Sequence, residues 1–233
     1  MEKVIFAALE DGDGASGDCD GLVDRAAERL GADRYPDVSV QVLDREASDQ
    51  WQLRRQSHAV ALVSVWTECA DDVGEVEKLV SEVSPRYAGF VVTESVPRWR
   101  PPRGEGAAEP QPGVTVSSLL CRAPSLTRDA FVRHWIDVHM PMSLRIHPQW
   151  TYVRNVVTRV LTPDAPAVDA ICEEGFAEVD DVVDPSRFYG ADPGTPWQKG
   201  KVEIGEDVPK FLDPARNRTS IMREYRLRDF RAR

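Results

Sequence analysis

Residues 97–113 read PRWRPPRGEGAAEPQPG, and this stretch divides the chain. Proline and glycine recur through it and apolar residues are sparse, so neither a strand ladder nor a helix is expected to run across it. It is predicted to be a linker, with one domain over residues 1–96 and a second over 114–233. Both pieces are long enough to bury a core of their own.

Upstream of the linker, runs dense in Val, Ala, Leu and Phe at residues 3–9, 38–43, 59–67 and 89–96 read as strands. Between them, residues 20–30 place Leu22, Val23, Ala26, Ala27 and Leu30 at helical spacing and stop at Gly31. A second helical pattern, Val73, Val76, Val80 and Val83, stops at Pro85. The order is β-α-β-β-α-β.

Downstream the order returns: strands at 114–121, 150–161, 170–178 and 219–227, a helix at 127–145 and a short helix near 181–189. One constant offset lays Val4 on Val116, Pro36 on Pro148, Ser39 on Thr151 and residues 59–67 on 171–179, the mark of a diverged duplication. Residues 191–218 then stand out as an insertion rich in Gly, Pro and charge, expected to be a loop covering the second half's cleft. The fold class predicted is α+β: tandem ferredoxin-like β-α-β-β-α-β repeats. Strands such as 59–65 are apolar on both faces, so the two sheets are expected to pack face to face as an intrachain pseudo-dimer.

The chain of 233 residues is 42% hydrophobic and 29% charged, the balance of a packed protein. Its net charge of −10 and scattered arginines argue against nucleic acid. No apolar run reaches bilayer length, and the N-terminal stretch lacks a basic leader and a small-residue cleavage site, so neither membrane association nor a signal peptide is expected. Cys19, Cys69, Cys121 and Cys172 stand far apart and read as reduced thiols of a cytoplasmic protein.

Chemistry concentrates in residues 124–142, PSLTRDAFVRHWIDVHMPM. Thr127 is a natural N-cap, and Leu126 with Phe131 makes a hydrophobic staple. Phe131, Trp135, Val138 and Met142 follow at spacings of four, three and four. His139 rides at the edge of that stripe while His134 points elsewhere, and Pro141 is expected to stop or kink the helix and fix the His139 ring at a cleft mouth. Imidazole titrates near neutrality, which suits proton transfer. A histidine near a helix end also serves as a plain cap, and both roles stay open. His134, His139 and His147 lack the spacing and companions of a ligand set, so no metal is expected. Nothing at the His139 position of the first half except Ala27 offers such chemistry, so one site per chain is expected.

LTRDAFVRHWIDVHMPMSLR (residues 126–145) resembles the signature of the EthD family, as do WTYVRNVV (150–157), PDAPAVDAICEEGF (163–176) and KFLDPARN (210–217), in order. The resemblance covers most of residues 114–228. It implies the dimeric α+β barrel fold. The sequence has no Gly-x-Gly-x-x-Gly and no Walker loop, so no cofactor is expected. Members resemble small lyases acting on aromatic polyketide intermediates, by dehydration or decarboxylation, or accessory proteins of catabolic oxygenases. The sequence departs from the pattern at Val156, where many relatives carry a polar or histidine side chain, and in the expanded segment 191–201.

On this reading His139 is the catalytic acid/base of a lyase or isomerase acting on a small aromatic or polyketide-like ligand. Trp135, Tyr152, Arg154 and Trp197 line the substrate site. Arg154 orients a carboxylate or phenolate, or pairs with Glu173 or Glu174 on the next strand. The alternative is a non-catalytic small-molecule carrier or accessory protein using the same pocket. A third, a haem-binding or oxygen-using relative, needs an axial histidine facing a wide cavity. Whether the pseudo-dimer pairs further into a homodimer is left open.

Overall fold

A computed structural model describes residues 1–10, 19, 21–51, 59–99 and 109–229. The strands are β1 (Glu2–Leu9), β2 (Asp37–Leu43), β3 (Ala59–Thr67), β4 (Tyr87–Arg98), β5 (Val114–Leu120), β6 (Thr151–Val160), β7 (Ala170–Phe176) and β8 (Arg218–Arg228). The helices are α1 (Leu22–Arg29), α2 (Arg45–Gln50), α3 (Gly74–Val83), α4 (Arg128–His134), α5 (Met140–Ile146), α6 (Asp180–Val183), α7 (Pro185–Phe188) and α8 (Trp197–Phe211), with a π-helical turn, Trp135–His139, joining α4 to α5.

The strands close a barrel in the order β1-β3-β2-β8-β5-β7-β6-β4, every pair antiparallel. Within the first half the order is β4-β1-β3-β2, and within the second β8-β5-β7-β6. The halves do pack apolar faces on one another, as expected: Ile5, Leu62, Phe90 and Val92 meet Leu119, Val157, Ile171 and Met222 in one buried cluster. They also join edge to edge, β2 with β8 and β4 with β6, which leaves no exposed strand edge in the barrel.

Alternation along each strand sorts the layers. Val4, Phe6 and Ala8 pack outward under α1 and α3, whereas Lys3, Ile5, Ala7 and Leu9 point into the barrel. One end of the interior is apolar and the other polar. At the polar end Lys3 Nζ lies 2.7 Å from Glu94 and 3.2 Å from Glu173, and Gln41 and Asn155 donate to Glu173 at 2.6 and 2.8 Å. These contacts tie β1 and β2 to β6 and β7, so the polar end fastens the halves together. A cavity of about 60 Å³ opens there, lined by Trp99, Trp150, Thr115, Glu173, Glu224 and Arg226 among others.

Three expectations change. The constant offset holds for the first strand but slips in the others: Val4 pairs with Val65 while Val116 pairs with Glu174, so Val65, not Leu62, is the counterpart of Glu174. Strand β4 runs two residues past the expected boundary at 96; Pro97 fits because the β4–β6 register shifts between Ser95 and Arg98, and Arg98 donates to the carbonyls of Gln149 and Leu144. Most of the expected linker, residues 100–108, lies outside the described residues. The helix expected over 127–145 is present as α4, the π turn and α5; of the two outcomes expected at Pro141 it is the distortion of the helix, not its end, that occurs. Finally, the expected loop at 191–218 is mostly α8.

Candidate active site

Thr127 caps α4 by accepting from the Ala130 amide at 3.2 Å. That fixes the helix so that Phe131 and Trp135 face the sheet, where each is buried. Trp135 Nε1 donates to the Tyr152 hydroxyl at 2.8 Å, and the Arg154 guanidinium sits over the Trp135 ring, 5.7 Å from its centre. Tyr152 and Arg154 thus share the helix-facing side of β6, as their spacing implied. Arg154 pairs in register with Cys172 and does not meet Glu173, which points into the barrel.

His134 and His139 lie five apart, and on a regular α-helix such residues are about 140° apart around the axis. The π turn changes this. The Met140 amide donates to the Trp135 carbonyl, five residues back, and the wider turn brings the two histidines onto one side. Pro141 supplies a local cause, since it has no N–H and its ring crowds the carbonyl four residues earlier.

Both rings meet one carboxylate. His134 Nε2 lies 2.9 Å from Asp207 Oδ1, and His139 Nδ1 lies 3.0 Å from Asp207 Oδ2. Asp207 is 1% exposed. Burial opposes its ionisation, but hydrogen bonds from His139 and His134 outweigh that and hold its carboxyl below the usual carboxylate range. An ionised carboxylate only accepts, so the nitrogens facing it carry the protons. His139 in its neutral form therefore keeps its lone pair on Nε2. Phe211, one turn beyond Asp207, lies between these rings and the inner aromatics: its ring centre is 4.7 Å from His139, 5.0 Å from His134 and 6.0 Å from Phe131.

A second tier lies along α5. Glu174, on the helix-facing side of β7, accepts from Ser143 Oγ at 3.2 Å and from Gln149 Nε2 at 3.0 Å, both on Oε1. Burial raises its pKa to about 7, against the opposing pull of those two donors. Burial likewise pushes the Tyr152 hydroxyl and the Cys172 thiol well above their usual ranges. His147 is structural: it is buried, bonded to the Phe188 carbonyl at 2.8 Å, and lowered to about 4 by burial.

The structure brings together Trp135, Tyr152 and Arg154, and places His139 across Phe211 from them. Trp197 stands apart, ten residues before Asp207 and so about 15 Å away along α8, with its Cβ beside the Gly190 turn. His139 bonds Asp207 of α8 and not the strand-borne Tyr152 expected beside it. Asp207, Phe211, Glu174 and His134 were not anticipated. Gly200, Ile204, Asp207 and Phe211, all buried on α8, follow at spacings of four, three and four, but two of the four are not apolar, so the stripe does not stand out in the sequence. Among the described residues no group of three or more His, Cys, Asp and Glu is placed to hold a metal ion, and no helix is long and apolar enough to cross a membrane. None of Cys19, Cys69, Cys121 and Cys172 is in a disulfide.

Residues 123–215, which hold every residue of this site, match the family model of the EthD domain. The C-terminal half carries an EthD domain. No curated protein matches the chain. Among solved structures, an anthrone oxidase-like protein is similar at 8% identity and a TM-score of 0.58, covering 98% of this chain and 94% of its own. A protein described as a candidate chlorite dismutase is similar at 11% identity and a TM-score of 0.51, covering 98% and 96%. These likenesses establish the fold, that of the dimeric α+β barrel proteins, for the EthD domain and the half preceding it.

Proposed function

We propose that the EthD domain is a small-molecule acid/base enzyme, a lyase (dehydratase or decarboxylase) or isomerase acting on a small aromatic or polyketide-like compound. His139 is its base. The observation that carries this reading is the bond from His139 Nδ1 to the buried carboxylate of Asp207: it orients the ring, fixes the tautomer and stabilises the imidazolium formed when Nε2 takes a proton. Removal of a proton from carbon opens eliminations and isomerisations alike. The likeness to an anthrone oxidase-like protein supports an aromatic ligand. Trp135 and Tyr152 supply aromatic walls, Arg154 a cation for a carboxylate or phenolate, and Trp197 contributes from the far end of α8, which covers this half.

We also read the halves as diverged copies of one ferredoxin-like unit, forming a pseudo-dimer within the chain; their matching strand orders support this. A second reading, a non-catalytic binding or accessory protein, is favoured by one feature: Phe131, Trp135 and Phe211 fill the inner cleft.

The test uses a phenyl-substituted β-hydroxy ketone, the hydrate of benzalacetone, in heavy water. NMR should show exchange of its ketone α-protons with the whole protein and a loss of about a hundredfold or more with His139→Ala. Equal exchange by both proteins supports the binding reading instead.

A further inference from the structure

We propose that Glu174 is a second acid/base group on the helix-facing side of this half, the acid that protonates the leaving oxygen while His139 removes the proton from carbon. This rests on the reading of His139 above.

Two adjacent carboxylates on β7 have opposite surroundings. Glu173 points into the barrel, meets Lys3 and two further donors, and is held below the usual carboxylate range: burial opposes ionisation, and the Lys3 charge leads the groups that outweigh it. Glu174 points toward α5 and meets no cation among the described residues, only the neutral donors Ser143 and Gln149. Carboxyl pairs separated in this way divide into a permanently charged member and a protonable one. Both bonds to Glu174 fall on Oε1, which fits the carbonyl oxygen of a neutral acid, and the residue keeps part of its surface exposed. On this reading Oε2 is the hydroxyl.

Position links the two groups. Ser143 follows His139 by four residues in helical geometry, so the two share a face one turn apart, about 5–6 Å between Cβ atoms. Glu174 bonds that same Ser143. The titratable neighbours facing Glu174 are Tyr152 on β6 and Cys172 on β7, both kept neutral by burial, with Arg154 beside Cys172; from the helix side Ser143 and Gln149 carry no charge. Only Glu174 among these changes charge near neutrality.

In a dehydration the C–H bond breaks, its proton passes to His139 Nε2 and its electrons form the double bond. The C–O bond breaks, and the departing oxygen takes the Glu174 proton and leaves as water. Exchange with solvent returns the imidazole and the acid to their starting forms.

The same β-hydroxy ketone separates the two roles, because α-proton exchange needs the base alone and benzalacetone formation needs both groups. With Glu174→Gln, exchange should stay within about threefold of wild type. Dehydration should fall about a hundredfold and lose the alkaline decline that wild type shows near pH 7. Unchanged dehydration with the same decline would overturn the Glu174 role and leave His139 standing; loss of exchange on neither His139→Ala nor Glu174→Gln would remove the base reading and this one with it. Absence of both reactions in wild type counts against both roles. Independently of activity, difference infrared spectra of the full chain should show a protonated carboxyl band titrating near pH 7 that Glu174→Gln abolishes. No such band, with all carboxyls ionised by pH 6, would refute the proposal even if the variant were inactive.

Discussion

His139 Nδ1 lies 3.0 Å from Asp207 Oδ2, joining a π-helical turn to a helix 68 residues further along the chain. The same carboxylate holds His134, so α4, the π turn and α8 are clamped at one buried point. On the proposed function, Asp207 serves both the acid/base site and local stability.

Asp207 has a folded pKa below its unfolded value, so the stability it contributes is present above the ordinary carboxylate range, near pH 4, and is lost as pH falls through the folded value. Wild type should lose stability as pH drops below about 4. Asp207→Asn should start less stable at pH 7, by about 1–3 kcal/mol, and show a shallower acid decline. Denaturant titrations at pH 7 and pH 3 measure both slopes; parallel slopes would remove Asp207 from the acid transition.

Glu174 carries the opposite sign. Its folded pKa of about 7 lies above the unfolded value, so its ionisation weakens the fold progressively between about pH 4.5 and 7. Glu174→Gln should gain stability over wild type above pH 7, by at most about 3 kcal/mol, and the gain should vanish toward pH 4. Thermal melts across that range are the check.

At the barrel's polar end Lys3 neutralises Glu173, which is 8% exposed. Lys3→Ala removes the cation bonded to that buried carboxylate, leaving the Arg226 charge as its cationic neighbour, and should cost about 1–3 kcal/mol, seen as a lowered Tm. A cost under about 1 kcal/mol would mean that the ion pair does not fasten the halves.

Tyr152→Phe removes the acceptor for Trp135 Nε1 inside a buried cluster. Leaving that donor unmatched should cost about 1–3 kcal/mol in denaturant unfolding. An unchanged midpoint would show that the Trp135 to Tyr152 bond contributes nothing net.

The strand order of each half was legible because apolar runs, Gly31 and Pro85 punctuate it plainly. The site was half legible. Trp135, Tyr152 and Arg154 follow from ordinary helix and strand periods, but His134 and His139 share a partner only through a π turn, which a 3.6-residue period hides. Helix α8 was hidden because its buried stripe includes Gly200 and Asp207. Gly200 is buried because a Cβ there would lie 2.7 Å from the Tyr189 carbonyl, and Asp207 because two imidazoles meet it. Neither reads as apolar, and Pro209 inside the helix adds a further breaker. The six-residue α2 was missed because it is polar; Asp44 caps it by accepting from the Ala47 amide at 3.0 Å.

On the proposed function, Asp207 fixes His139 with Nε2 as its free, basic nitrogen. Long-range nitrogen–proton NMR of the histidine-labelled full chain reads this directly at a pH where the ring is neutral. The expected result is a His139 signal of the Nδ1–H tautomer in wild type, converted to a tautomer mixture by Asp207→Asn. A wild-type His139 carrying its proton on Nε2, or one whose tautomer ignores the loss of the Asp207 charge, would contradict it.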